Sequence, residues 1–320
     1  MAVVALLDPA APSAVARRAT TLLRARLGDE LIIVPIAADI DITAATERAL
    51  ETFHPRAVIA VGSDALIGAV AAALVDMPAA LGIVPTGVDA RLPRQLGLPT
   101  EVEAACAAIA DVCDAGHPTR IDVLVVGNRV VLSRTVIGRL ADLDAPPPGR
   151  HTHVDRLRWG ARSLWRLFGP TSRYHIDVDG HPLGMRASSV VVANTGAVGL
   201  AKLRWAPEIV ADDGIADVVV IRSSTFLDYV VLLASWILGR ERLRQAIHVR
   251  AKGRIEIRCS RAVPVTHDGV RERTTQLSMR VVPAGLQLLA PVARRDQDSS
   301  RPTDIPAAIP PLHIARMRAS

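Results

Sequence analysis

The chain has 320 residues, half of them apolar and 22% charged, which is enough apolar material for a sizeable core in one large or two ordinary domains. Its 38 Lys and Arg against 32 Asp and Glu leave a net charge of +6, which suits anionic partners. Only 3% of residues are aromatic and no basic run is interleaved with stacking rings, so nucleic acid is not an expected partner.

The opening run 1–7 lacks a basic start and meets Asp8-Pro9 too early for a secretory leader. It is expected to be a first strand entering a turn, in a cytoplasmic protein. Apolar runs at 31–35, 58–61 and 81–84 then alternate with helical stretches at 14–27, 43–53 and 67–75. That alternation predicts an α/β layer on a largely parallel sheet. Such layers bind ligands at the carboxyl ends of their strands, where the loops at Gly62 and Gly87 fall. Beyond Ile121 the pattern becomes strand-rich, with strands expected at 123–126, 130–132, 173–178, 188–193, 218–221, 254–259, 277–282 and 286–289. Tight turns such as Gly127-Asn128 and Asp179-Gly180 separate or join several of them, which predicts an antiparallel β region. The expected organisation is an N-terminal α/β domain over 1–122, a C-terminal β-rich domain over 123–292, and a polar, disordered tail over 293–320.

Cys106, Cys113 and Cys259 have neither metal-ligand spacing nor an even framework, and read as small apolar residues in a reducing compartment. His151-x-His153 with Asp155 has metal-like spacing but no further ligand cluster nearby, and reads as loop histidines. No run approaches the ~18 uninterrupted apolar residues of a spanning helix. Residues 153–168 carry apolar positions at helical spacing, Trp165 among them, with Arg158, Arg162 and Arg166 as a stripe. Such a helix can lie on an anionic membrane surface, or pack on the β region with its charges in solvent. The apolar run 226–238, followed by Arg240, Arg242 and Arg244, is a second candidate for a lipid surface, but fits a buried helix with a basic end better.

Four segments carry chemistry-bearing patterns. Gly62-Ser63-Asp64-Ala65-Leu66 follows a strand in the manner of a phosphate loop, although such loops need backbone N–H groups converging without interfering Cβ atoms. Pro85-Thr86-Gly87-Val88-Asp89-Ala90-Arg91-Leu92-Pro93-Arg94-Gln95-Leu96-Gly97-Leu98-Pro99 follows the next strand. Downstream lie Asp212-Asp213-Gly214-Ile215-Ala216-Asp217-Val218 and His267-Asp268-Gly269-Val270.

In this order the segments resemble the diacylglycerol kinase catalytic-domain family, bacterial lipid kinases related to sphingosine kinases and more distantly to NAD kinases. The resemblance spans roughly residues 3–291, and Asp8-Pro9 is comparable to the family's Asn-Pro after its first strand. It implies a two-lobed fold with an N-terminal α/β domain and a C-terminal antiparallel β domain. It also implies ATP and Mg²⁺ as cofactors of an active member, with lipid, an anionic membrane surface at the inner face, nucleotide and a homodimer as partners. The nucleotide positions would be Gly62, Ser63, Asp64, Gly87, Asp89, Arg91 and Arg94; the metal positions Asp213 and Asp217. The reactive centre departs from the family. Ser63 and Ala65 replace loop glycines and Leu66 the loop Thr; Val88, Ala90 and Arg91 stand for Thr, Asn and Asp; Val270 replaces the glutamate base. A substitute base would be Asp268, or Glu272, roughly 6.6 Å further along a strand. Phosphoryl transfer tolerates the loss of one donor but hardly of the whole set. The expectation is a lipid-kinase-like protein that is non-catalytic or very weak, with an active lipid kinase using an atypical site as the alternative.

Overall fold

The structure is a computed structural model, and it describes residues 2–37, 40–87, 90–144, 158, 171–195, 211–222, 225, 228 and 246–290. Apolar runs rich in Val and Ile form β1 (Val3–Leu7), β2 (Leu31–Pro35), β3 (Ala57–Gly62) and β4 (Ala80–Pro85). They pair in parallel in the order β2-β1-β3-β4, with Val3 opposite Leu31 and Ala57, and Gly62 opposite Pro85. Successive residues of a strand point to opposite faces, and both faces here are covered. Val4, Leu6, Val58 and Ala60 pack with Ala49 of α2 (Ile42–Phe53) and with Ile67, Val70 and Leu74 of α3 (Asp64–Leu74). Val3, Ala5, Ile59 and Val61 pack with Leu23 of α1 (Ser13–Leu27) and with Cys106 and Ile109 of α5 (Val102–Ala115). Burial pushes the Cys106 thiol up to about 11, so it behaves as an apolar group. Between β4 and α5 lies the short α4 (Arg91–Gln95).

The chain then turns antiparallel through β5 (Thr119–Val126), β6 (Arg129–Val131), β7 (Arg134–Gly138), the single turn α6 (Ala141–Asp144), β8 (Ser172–Val178), β9 (His181–Ala187), β10 (Ser189–Ala193), β11 (Ala216–Ile221) and β12 (Ala246–Ala251). It ends in a long hairpin of β13 (Arg254–His267) and β14 (Val270–Leu288). Strand order is β12-β11-β10-β7-β13-β14-β4-β3-β1-β2, with β5 and β6 attached to β14, and β8 and β9 to β13. Alternate residues such as Tyr174, Ile176, Val190, Val192, Val218, Ile255, Val265 and Met279 fill a second core. β14 joins the two regions, because beyond β13 and β5 it reaches β4 at Leu288 opposite Leu81. Among the described residues no helix is long and apolar enough to cross a membrane.

Candidate functional site

The pairing of β3 with β4 sets the Gly62 and Gly87 loops side by side, and Thr86 N–H donates to the Gly62 carbonyl at 3.1 Å. Ser63 stands at the start of α3 but does not cap it. Its N–H and hydroxyl instead donate to Asp8 Oδ2 at 3.0 and 2.5 Å, while Ala10 N–H donates to Asp8 Oδ1 at 2.8 Å. Burial pushes the Asp8 carboxyl up, but these hydrogen bonds outweigh it and hold the pKa below the usual carboxylate range. Gly62 is forced by the same contact: a Cβ there would meet Asp8 Cβ at 2.5 Å and Leu66 Cδ2 at 2.6 Å. Leu66 is fully buried in the first core, and Asp64 accepts from Leu92 N–H at 3.4 Å, tying α3 to α4.

From the other side comes the turn between β13 and β14. Asp268 and Gly269 have φ of 47° and 91°, and close the hairpin with His267 opposite Val270. The Asp268 carboxylate accepts from the N–H groups of Leu132, Ser133 and Arg134 at 2.6, 3.0 and 2.9 Å. The residue keeps some surface in solvent but the carboxylate itself is enclosed, and burial pushes its pKa up to about 6 against the pull of the three amides. This carboxylate fastens the β6–β7 link, and its lone pairs are largely committed. The position of the family base is filled by Val270, 41% exposed. Glu272 lies 3.2 Å from His267 Nε2, and the hydroxyl of fully buried Thr135 lies 2.9 Å from His267 Nδ1. Burial lowers the imidazole pKa despite the opposing pull of Glu272. An ionised Glu272 can only accept, so Nε2–H donates to it and Nδ1 accepts from Thr135.

Arg91 joins the sides. Its Nη1 donates to the Asp144 carbonyl at 3.0 Å and lies 3.5 Å from where a Cβ on Gly269 would sit. The Asp144 carboxylate accepts from Arg134 Nε and Nη2 at 2.9 and 2.6 Å and from the Thr266 hydroxyl at 2.8 Å. Asp8 and Asp144 were not among the site residues expected from sequence, because their roles rest on partners 55 and up to 122 positions away. Arg94 is exposed on α4, and Gly87 has open space around the place of a Cβ. Asp89, Arg162, Trp165 and Arg166 lie outside the described residues, as do most of 226–238 and all of 291–320; Arg158 is described and exposed.

Asp213 and Asp217 flank a different corner. Asp213 Oδ1 accepts from Ile215 N–H at 3.0 Å; burial, then the charges of Asp217 and Asp122, raise its pKa. Asp217 is bonded to His248 Nε2 and lies 3.7 Å from Arg250 Nε. Buried Asp122 accepts from Gly214 N–H at 2.6 Å and Ala284 N–H at 2.7 Å. A divalent cation fits poorly where one carboxylate already faces two basic side chains, and among the described residues no group of three or more potential ligands converges.

A parallel α/β layer joined to an antiparallel β region, with strand-end loops facing the turn of a long hairpin, is the two-domain architecture of the NAD-kinase and diacylglycerol-kinase class. The chain belongs to the diacylglycerol kinase-like family: residues 3–126 match the diacylglycerol kinase catalytic domain, and residues 151–290 match the YegS C-terminal NAD kinase beta sandwich-like domain. A diacylglycerol kinase from Bacillus subtilis strain 168 is 26% identical over 231 residues, covering 71% of this chain and 74% of that protein. An uncharacterized protein of Synechocystis is 25% identical over 249 residues, 73% of this chain but only 55% of the Synechocystis protein. In fold, a diacylglycerol kinase from Bacillus anthracis str. Sterne superposes with a TM-score of 0.68 at 19% identity, covering 91% of this chain and 97% of that one.

Proposed function

We propose that this chain is a diacylglycerol-kinase-like protein that is non-catalytic or very weakly active and retains its cleft for binding nucleotide or lipid. The observation that carries this reading is the hydrogen bonding of Ser63 to Asp8. A phosphate loop works by presenting N–H and hydroxyl donors to an anion. Here the chain's own carboxylate takes both Ser63 donors, at a position where the family has a neutral Asn, and its charge repels an incoming phosphate. Val270 and the amide-bound Asp268 offer no conventional base at the position where the family carries one. The α/β unit of residues 1–122, the β-rich unit of 123–292 and attachment to an anionic membrane through Arg158, Arg162, Trp165 and Arg166 belong to the same proposal. The unit boundaries draw support from the two matched segments, and the membrane surface from sequence pattern alone.

One observation favours the alternative, an ATP-dependent lipid kinase with an atypical site. Glu272 is only half-buried and is oriented by His267, as a displaced base would need to be. A titration with Mg-ATP followed by phosphate transfer to diacylglycerol in mixed micelles separates the readings. The wild type is expected to bind Mg-ATP weakly, and Asp8→Asn severalfold more tightly, with no transfer by either. Wild-type turnover above about 0.1 s⁻¹, abolished by Glu272→Gln, would establish the alternative.

A further inference from the structure

At the end of β7 remote from the Asp268 turn, roughly 13 Å from Arg134 by strand rise, lies a pocket of about 160 Å³ in the β region. The pairing of β13 with β14 shifts register between Arg258 and Val263, and the displaced residues 261 and 262 form one wall. Three arginines, Arg139, Arg261 and Arg273, and three hydroxyl residues, Ser172, Tyr174 and Ser188, line it, and among the described lining residues none is a carboxylate.

The polar groups are held in place. Arg261 Nε donates to Ser172 Oγ at 3.2 Å, Arg273 Nη2 to the Ala262 carbonyl at 3.1 Å, and Ser188 Oγ to the Ile221 carbonyl at 3.0 Å. Tyr174 is fully buried, yet its hydroxyl has no hydrogen-bond partner. Ser172 Oγ is near enough to favour the phenolate slightly but makes no hydrogen bond to it. Gly138, at φ 91°, leaves room for the phenol: a Cβ there would lie 2.6 Å from Tyr174 Oη and 2.5 Å from the Ser188 carbonyl. Burial raises the Tyr174 pKa, so the group is a hydrogen-bond donor at every ordinary pH. A buried donor without a partner is uncommon in folded proteins and calls for an acceptor.

We propose that this pocket binds a phosphoryl group, with Arg261 and Arg273 supplying charge and the Tyr174 hydroxyl a directed hydrogen bond. Several guanidinium groups around a small polar pocket match an anion with several acceptor oxygens better than a single carboxylate. The source is a soluble phosphate or the exposed headgroup of a phosphomonoester lipid. The site is independent of the cleft, so it stands whether or not the chain transfers phosphate.

The test is calorimetric titration of the full chain with inorganic phosphate at low ionic strength, with chloride as control, alongside sedimentation with vesicles of phosphatidic acid in phosphatidylcholine and of phosphatidylcholine alone. Saturable binding of phosphate is expected to weaken about tenfold in Arg261→Gln and in Arg273→Gln. Both residues are exposed, so these variants should fold. Tyr174→Phe should weaken binding severalfold while its melting temperature stays level or rises, which a purely structural hydroxyl would not do. Binding of phosphate assigns the site to soluble phosphates. Binding of phosphatidic acid vesicles alone, lost in the same variants, assigns it to a lipid headgroup. Absence of both, or affinities unchanged by the arginine substitutions, overturns the proposal.

Discussion

A methyl group at position 62 would sit 2.5 Å from Asp8 Cβ, so the glycine and the carboxylate define one another's space. Gly62→Ala is expected to destabilise the protein by about 1–3 kcal/mol in urea unfolding, as overpacking of a closed site does. The two loop carboxylates respond oppositely to pH. Folding lowers the Asp8 pKa, so its stabilisation is present above the ordinary aspartate value of 3.8 and is lost as pH falls through the lower native value. Folding raises the Asp268 pKa from 3.8 to about 6, so the native state holds a proton that the unfolded chain has released in that interval. Stability attributable to Asp268 therefore falls between pH 4 and 6, by up to about 3 kcal/mol. Unfolding curves across pH 3–7 should lose their acid limb in Asp8→Asn and their pH 4–6 decline in Asp268→Asn. Four of the motif residues that match the family hold the fold: Gly62 makes room, Asp64 ties α3 to α4, and Asp268 and Gly269 shape and anchor a turn. Leu66, which departs from the family, is committed too: restoring Thr there would open a core site rather than simply add a donor.

Two elements carry most of the cost of holding the cleft together. α4 begins from Ala90 in the left-handed region, φ 33°, a conformation that L-residues other than Asn, Asp and Gly rarely adopt. Ala90→Gly should stabilise the protein by about 0.5–1 kcal/mol, measured as a shift in urea midpoint at constant slope. α6 contributes Asp144, whose carboxylate and Arg134 partner are only 7% and 4% exposed. Asp144→Ala removes a carboxylate paired with a buried guanidinium and should cost about 3–5 kcal/mol in the same experiment. Neither feature was legible in the sequence, since a left-handed Ala and a short turn before Pro146-Pro147-Pro148 leave no periodic signal. The parallel strands were legible because residues such as 58–61 are buried on both faces and must be continuously apolar. The sequence pattern ends β13 at Cys259; the strand continues to His267, because pairing with β14 resumes at Val263 and Pro264 after a register shift that starts at Arg258. The exposed edge strand β9 and the helix α5, like β7 and β12, lie outside the expected elements. The first has few buried residues, and the second is rich in alanine, whose small side chains leave little hydrophobic contrast.

At the scale of the molecule, the matched segments 3–126 and 151–290 share a spine. β14 is 19 residues long and pairs with β13 in the antiparallel region, with β5 along most of its second half, and with β4 at its last residue, Leu288. Its pairing with β5 breaks between Val282 and Leu286, where Ala284 has φ 49° and its N–H donates to Asp122. Heat or denaturant should therefore melt both regions in one transition, with calorimetric and van't Hoff enthalpies in agreement; two separable transitions would show that β14 does not couple them. The spine also constrains motion. Any swing of the Asp268 turn toward the Gly62 loop has to twist β14, and the short unpaired stretch at Ala284 is its natural fulcrum. Asp122, which bonds both Ala284 and Gly214, acts there as a latch on the hinge, and its replacement by Ala should loosen amide exchange at 282–286 before it lowers protection anywhere else in the strand.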